Sequence, residues 1–290
     1  MSHIKHEAVR AFVKFISARE RHRTAREAGR AADRPDPIIA QYRFCNVRRN
    51  DDRVTKWVHR EYLDHWRGDP NLWFALVVAR LFNLPNSLDV VASAVLPFKP
   101  EKMRVALKAL RADGQNIFNA AYIVSTAGAK MGKVDYVLDR ILAPAWEENR
   151  LLSNYIANAG ELACVHDILM TLNGLASFMA AQVVADLKYA DPAKWKDFHT
   201  FAASGPGSRR GLNRVLGQDK DAPMREDFFR SALLELREKT NLLLPAMQPI
   251  TAQDIQNCLC EYDKYERART GEGRPKQKYS RPDLPWKETK

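Results

Sequence analysis

The chain has 290 residues, 46% of them hydrophobic, and 46 Lys+Arg against 35 Asp+Glu give a formal net charge of +11. That length supports a substantial buried core, as one large domain or two intertwined lobes around a cleft, and no uninterrupted apolar run is long enough to cross a bilayer. Lys14 breaks the only early apolar run, Phe12 to Ile16, so a secretory leader is not expected; Cys45, Cys164, Cys258 and Cys260 lack CxxC spacing, which argues for a reducing compartment and against both a disulfide framework and a zinc site.

The scarcity of glycine and the recurrence of apolar residues at three-to-four spacing predict a mainly α-helical protein. Residues 1–35 form a basic amphipathic N-terminal segment, with Val9, Phe12, Val13 and Ile16 on one side, stopped by Asp33-Arg34-Pro35-Asp36-Pro37. Residues 38–47 read as a short strand or the run-in to a helix. Helices are expected over 51–66, 71–82 (strongly apolar and central to the core), 101–112, 133–145 and 149–159. Residues 117–125 fit a strand or a buried helix equally well. A hairpin of helices near 161–190 follows, then helices over 225–244 and 251–269, the latter with Thr251 as N-cap. The helical domain is expected over 36–270, and 271–290 as a weakly ordered basic tail.

The net positive charge favours a polyanionic partner, because Lys and Arg neutralise phosphates and release condensed counterions. Three segments carry chemistry. In the first, Leu172-Asn173-Gly174-Leu175-Ala176-Ser177, Gly174 supplies a turn with positive φ, and the backbone N–H groups that follow, at Gly174 and Ser177, point at a DNA phosphate; Ala176 stands where such a hairpin usually has a second glycine. Asp186 lies one turn past Gln182, so both face one pocket, where a carboxylate serves as base or stabilises developing positive charge; Asp197 is the second candidate carboxylate.

The second segment, Gly205-Pro206-Gly207-Ser208-Arg209-Arg210-Gly211, opens a helix with glycines that let the backbone approach an anion, a serine that caps, and two forked guanidinium groups. It reads as a pyrophosphate or DNA-phosphate site, and no GxxxxGK[ST] loop occurs in the sequence. The third combines Asn46, Arg49 and Asp52, polar residues in an apolar frame, with Glu261, Lys264 and Tyr265 on one side of a late helix. The histidines show neither HxH nor HxxxH spacing, so no catalytic metal and no cofactor are expected.

Taken together, Phe44-Cys45-Asn46-Val47-Arg48-Arg49 with Asp52-Arg53-Val54-Thr55, the Gly174 to Tyr189 hairpin with the Gly205 to Gly211 loop, and Leu259-Cys260-Glu261-Tyr262-Asp263-Lys264-Tyr265 resemble the alpha-glutamyl/putrescinyl thymine pyrophosphorylases, or amino acid:DNA transferases, of phage thymine hypermodification. The same helical module occurs in 5-hydroxymethyluracil DNA kinases. The resemblance spans roughly residues 36–280 and departs from the family pattern at Asn50-Asp51, where Glu-Leu is commoner. It implies a fold like that of the helix-hairpin-helix DNA glycosylases, double-stranded DNA carrying a modified uracil as substrate, a small amine as second substrate, other hypermodification enzymes as partners, and the cytoplasm of an infected bacterium.

The reaction implied by the resemblance replaces the pyrophosphate of 5-pyrophosphoryloxymethyl-deoxyuridine in DNA with an amine such as glycine, glutamate or putrescine. The expected catalytic residues are Asp186, Arg49, Asp52 and Asn46. Gln182, Gly205, Gly207, Ser208, Arg209, Arg210, Glu261, Lys264 and Tyr122 would bind substrate, and Gly174 and Ser177 the DNA strand. Two alternatives stay open: a glycosylase using Asp186 or Asp197, and a DNA-binding accessory protein without catalysis. A kinase reading is the weakest, because the chain leaves no room for a nucleotide-binding domain.

Overall fold

Apolar residues at three-to-four spacing fold as helices almost throughout. The computed structural model describes residues 4–119, 125, 126, 128–275 and 277–279, and among these it is mainly helical, with no strand beyond one isolated bridge. The chain divides into two units, one made of Met1–Asp52 with His199–Lys290, the other of Arg53–Phe198. No helix of the described chain is long and apolar enough to cross a membrane.

The first unit contains α1 (His6–Glu27), α2 (Pro37–Gln41), α12 (Pro206–Leu216), α13 (Glu226–Leu243) and α14 (Ala252–Arg269). Phe12 and Ile16 of α1 are buried in one core with Leu212, Phe229, Leu236, Ile255 and Leu259, so the basic N-terminal helix is an integral part of this unit. Asp36 starts α2 by accepting from the N–H groups of Ile38 and Ile39 at 2.9 and 3.1 Å, which resolves the ambiguous residues 38–41 as helix. Thr251 caps α14 in a reciprocal arrangement with Asp254. Part of the expected loose tail is ordered: Arg43 N–H donates to the Gln277 carbonyl at 3.1 Å, Tyr279 N–H donates to the Gln41 carbonyl at 3.0 Å, and the Arg26 guanidinium lies 4.1 Å from the centre of the Tyr279 ring.

The approach of α12 to α14 fixes two glycines. An added Cβ at Gly211 would stand 2.7 Å from the Leu259 carbonyl carbon, and one at Gly207 would meet Cys260 Sγ at 3.3 Å. These positions are one helical turn apart, so they form a small-residue face along which one backbone rests on the other. The sequence reading gave both glycines to an anion; the packing gives them a structural reason of their own.

In the second unit α4 (Leu72–Phe82) is buried at every residue and carries one charge, Arg80. Asn83, at φ +51°, ends it in the left-handed conformation that a short polar side chain tolerates. The unit also contains α3 (Arg53–Val58), α5 (Pro85–Val91), α6 (Pro100–Ala112), α7 (Lys133–Tyr136), α8 (Ala143–Glu147), α9 (Asn149–Asn158), α10 (Leu162–Met170) and α11 (Ser177–Leu187), of which α5 and α11 pack on α4. The α3 helix runs on into a π-helical turn, His59–Leu63, and a second π turn, Val137–Leu142, joins α7 to α8. Such turns insert an extra residue into the helical ladder, re-aiming the side chains beyond, and recur at functional sites. Most of residues 117–125, including Tyr122, lies outside the described residues.

Candidate functional site

A single arginine in a wholly apolar helix cannot remain without a carboxylate, because an unpaired buried charge costs several kcal/mol (about 3–5 when one partner is lost). Arg80 is 1% exposed and Asp186, on α11, is 0% exposed. The two form a forked pair: Arg80 Nε donates to Asp186 Oδ2, and Nη2 donates to Oδ1 at 2.6 Å. The guanidinium also donates to Asn83 Oδ1 at 2.9 Å and to Thr55 Oγ1 at 3.3 Å. His59, the first residue of the π turn, places Nε2 3.1 Å from Asp186 Oδ1, while its side chain stays 18% exposed. Tyr189 packs beside it, ring centres 5.3 Å apart. The buried carboxylate thus orients an imidazole that reaches solvent and balances its own charge on Arg80. Gln182 lies on α11 with Asp186 and is also buried.

Asp197 is placed differently. Its two carboxylate oxygens accept the Leu162 and Ala163 N–H groups at 2.7 and 3.0 Å, capping α10. The turn between α10 and α11 holds Gly174 at φ +77°, with Ile141 of the π turn packed where a Cβ would lie, 2.8 Å from Cγ1. Asn173 Nδ2 donates to the Arg140 carbonyl at 2.7 Å, and His166 Nε2 lies 3.0 Å from the Ser177 carbonyl. Gly174 and Ser177 therefore sit in a turn held from both sides.

In the other unit, the segment around Asn46 is tied to α14. Asn46 N–H donates to Asp52 Oδ1 at 2.9 Å, Asn46 Nδ2 to the Asp51 carbonyl at 2.9 Å, and Asn257 Nδ2 to the Asn46 carbonyl at 3.0 Å. Arg49 N–H donates to Asp254 at 3.1 Å. Glu261 accepts from Cys45 N–H at 3.1 Å and from Lys264 Nζ at 3.0 Å, and Lys264 donates to the Arg43 carbonyl at 2.8 Å. Tyr265 donates to Asp36 at 2.8 Å. The motif that reads as a pocket in sequence is a network joining a loop to a helix.

Burial raises the Asp52 carboxyl from its ordinary 3.8 to about 6, against the opposing pull of the Asn46 N–H and the Arg49 charge. A raised carboxyl favours the folded state while protonated: the contribution is full below about pH 4 and is lost as pH rises through about 6. Asp52→Asn keeps an oxygen for the Asn46 N–H and removes the ionisation, so it is expected to stabilise the protein at pH 7 by up to about 3 kcal/mol and to leave stability at pH 4 nearly unchanged. Urea midpoints of both proteins between pH 4 and 7.5 measure this; a constant difference across that range contradicts it.

The doubly basic run at the start of α12 splits. Arg209 Nε donates to Ser204 Oγ at 2.7 Å and Nη2 meets Glu226 at 3.1 Å. Arg210 donates to Asp263 Oδ2 at 3.1 Å, beside Arg214 on Oδ1 at 2.9 Å and Arg267 at 3.3 Å from Oδ2. One carboxylate, 1% exposed, holds three guanidinium groups, of which Arg210 and Arg267 keep about a third of their side chains in solvent. Ser208 is fully buried and closes the first turn of α12 by accepting from the Gly205 N–H at 2.9 Å. The described residues contain no group of three or more His, Cys, Asp or Glu that would hold a metal ion.

The family model of the 5-hmdU DNA kinase helical domain matches residues 6–274. The chain belongs to that family. No curated protein and no solved structure matches it. Membership in the 5-hmdU DNA kinase helical-domain family relates the chain to the enzymes of thymine hypermodification and implies enzymatic modification of DNA. Within this family member, His59 and Arg80 are the residues that sequence reasoning passed over. A lone arginine inside Leu72–Phe82 was the available signal, since a charge in a helix that apolar calls for a buried partner; nothing local marks His59, which the π turn delivers.

Proposed function

We infer that this chain modifies thymine-derived bases in DNA by exchanging a pyrophosphate for an amine at the uracil 5-methylene. Family membership supplies the context, and the observation that carries the reaction is the His59–Asp186–Arg80 network. An attacking amine is mostly protonated at neutral pH, so a base must take its proton, and an imidazole held by a buried carboxylate suits that task. The amine nitrogen forms a bond to the methylene carbon, the carbon–oxygen bond breaks, and pyrophosphate departs with the electron pair. The amine proton passes to His59, and Asp186 stabilises the resulting imidazolium while Arg80 holds the carboxylate in place. Asp186 therefore acts as a positioning residue rather than as the base itself.

The other proposed roles follow the same chemistry. Arg210 and Arg267, preorganised on Asp263, offer forked donors to phosphate oxygens of the DNA strand. The turn at Gly174 and Ser177 is the proposed backbone contact of a helix-hairpin-helix type. The base would be turned out of the duplex for the methylene to be reached.

His59→Gln is expected to lower the turnover of pyrophosphorylated DNA by roughly 10²- to 10⁴-fold and to flatten the rise of rate with pH that general-base catalysis gives. Pyrophosphate release measured between pH 5.5 and 9 tests this. An unchanged rate and pH profile in His59→Gln would remove the base from its proposed role. Abasic sites appearing in place of aminated nucleosides would favour glycosidic cleavage instead.

A further inference from the structure

In the first unit, His22 of α1 is a buried imidazole for which the packing supplies no partner. It is 7% exposed, and neither ring nitrogen has a hydrogen-bond partner among the described residues. A neutral imidazole carries one N–H donor and one bare acceptor, so both are left unmatched. The Tyr279 ring lies against it, ring centres 5.6 Å apart, and the same ring takes the Arg26 and Arg43 guanidinium groups at 4.1 and 5.6 Å from its centre. Tyr279 belongs to a short segment, residues 277–279, joined to residues 41–43 by an isolated bridge between Tyr42 and Lys278. Two backbone hydrogen bonds close that bridge, from Arg43 N–H to the Gln277 carbonyl and from Tyr279 N–H to the Gln41 carbonyl.

The charges around His22 are cations: Arg19 and Arg26 from its own helix, Arg43 from residues 41–43 and Lys278 beside Tyr279. The carboxylates of the neighbouring elements are engaged elsewhere. Glu20 and Glu27 of α1 hold Arg23, and Asp36 of α2 accepts from Ile38, Ile39 and Tyr265. On α14, Glu261 holds Lys264 and Asp263 holds Arg210 and Arg214; on α13, Glu235 holds Lys239. Burial, and after it the Arg26 charge, hold the His22 imidazole below its ordinary 6.5. An imidazolium has two N–H donors and needs acceptors or water for both; the docked segment offers neither. We propose that residues 277–279 form a proton-sensitive strap: neutral His22 keeps Tyr279 seated on α1, and protonation of His22 lifts the strap and frees the faces of Arg26 and Arg43. Docking is at full strength above about pH 6.5 and is lost as pH falls below it, by at most about tenfold per pH unit for one coupled proton. Asp52, the other group of this unit placed near that range, acts with the opposite sign, since its carboxyl favours the folded state when protonated.

Amide hydrogen exchange of the full chain between about pH 5 and 7.5, corrected for the intrinsic exchange rate, tests this at the two amides that close the bridge, Arg43 and Tyr279. Their protection is expected to be constant above about pH 7 and to fall by up to about tenfold per pH unit below about 6.5, while the amides of α13 stay protected. His22→Phe, which cannot take a proton, is expected to keep the strap docked with a flat profile; His22→Leu carries the same expectation should the larger ring disturb the fold. Tyr279→Ala is expected to leave the Arg43 amide unprotected at every pH. A second readout, the NMR titration of the His22 ring proton, should give a midpoint below 6.5 in the wild type and one close to 6.5 in Tyr279→Ala. A flat wild-type profile, an equal pH slope in the His22 variants, loss of α13 protection together with the strap, or a His22 midpoint that Tyr279→Ala does not move would each overturn the proposal.

Discussion

Asp186→Ala is expected to lower the free energy of unfolding by about 3–5 kcal/mol, a large fraction of a typical domain's stability. Alanine removes the partner of two Arg80 donors and leaves a guanidinium that is 1% exposed among apolar neighbours. Asn83 and Thr55 each accept one bond from that group, but neither carries charge. The penalty belongs to the unpaired ion more than to the lost pair, so it can be separated from the side chain's chemistry. Arg80→Met combined with Asp186→Leu is expected to recover most of the stability, since an apolar replacement of a buried pair is often neutral or better. Urea unfolding of the wild type, Arg80→Met, Asp186→Leu and the double variant forms the cycle, with Asp186→Ala measured beside it. A double variant no more stable than Asp186→Ala would show that the pair does more than balance itself.

Gly211→Ala is the second substitution with a large expected effect. The added methyl would stand 2.7 Å from a backbone carbon of α14, and closer still to its carbonyl oxygen. A side chain can rotate away from such a clash; a helix backbone must move as a whole. The expected loss is at least about 3 kcal/mol, at the upper end of overpacking penalties, with α12 displaced from α14. Two glycines serve as controls. Gly207→Ala meets Cys260 at 3.3 Å and needs only a small adjustment, and Gly217→Ala meets nothing within 4 Å but sits at φ +70°, a cost of roughly 1–2 kcal/mol. Thermal unfolding of the three variants should rank Gly211→Ala far below the others; near-equal melting temperatures would contradict the packing reason given for Gly211.

The same contrast shows what the sequence makes legible. Helix periods, the turn at Gly174 and the Thr251 cap were readable because each is set by residues close in the chain. The Gly205–Gly211 run was readable as unusual, but its meaning depends on Leu259 and Cys260, some fifty residues away, and no local rule announces a backbone lying on a backbone. Asp186 was singled out as a base or charge stabiliser; it has no exposed surface of its own, and the role proposed for it is to orient His59, 3.1 Å away. Asn46, Asp52, Glu261 and Lys264 were grouped because they are polar in apolar surroundings, and the structure gives that polarity a use in joining residues 43–52 to α14. Residues 117–125 carried no periodic signal able to separate strand from helix.

The amine-for-pyrophosphate exchange is tested most directly by nucleoside mass spectrometry. The protein is incubated with duplex DNA containing 5-pyrophosphoryloxymethyl-deoxyuridine and either labelled putrescine, glycine or glutamate, and the DNA is digested to nucleosides while free pyrophosphate is measured in parallel. The account predicts one aminated nucleoside for each pyrophosphate released, abolished or strongly slowed by His59→Gln. No label on the DNA and no pyrophosphate with any of the amines, from protein shown to be folded and to bind the DNA, would contradict it.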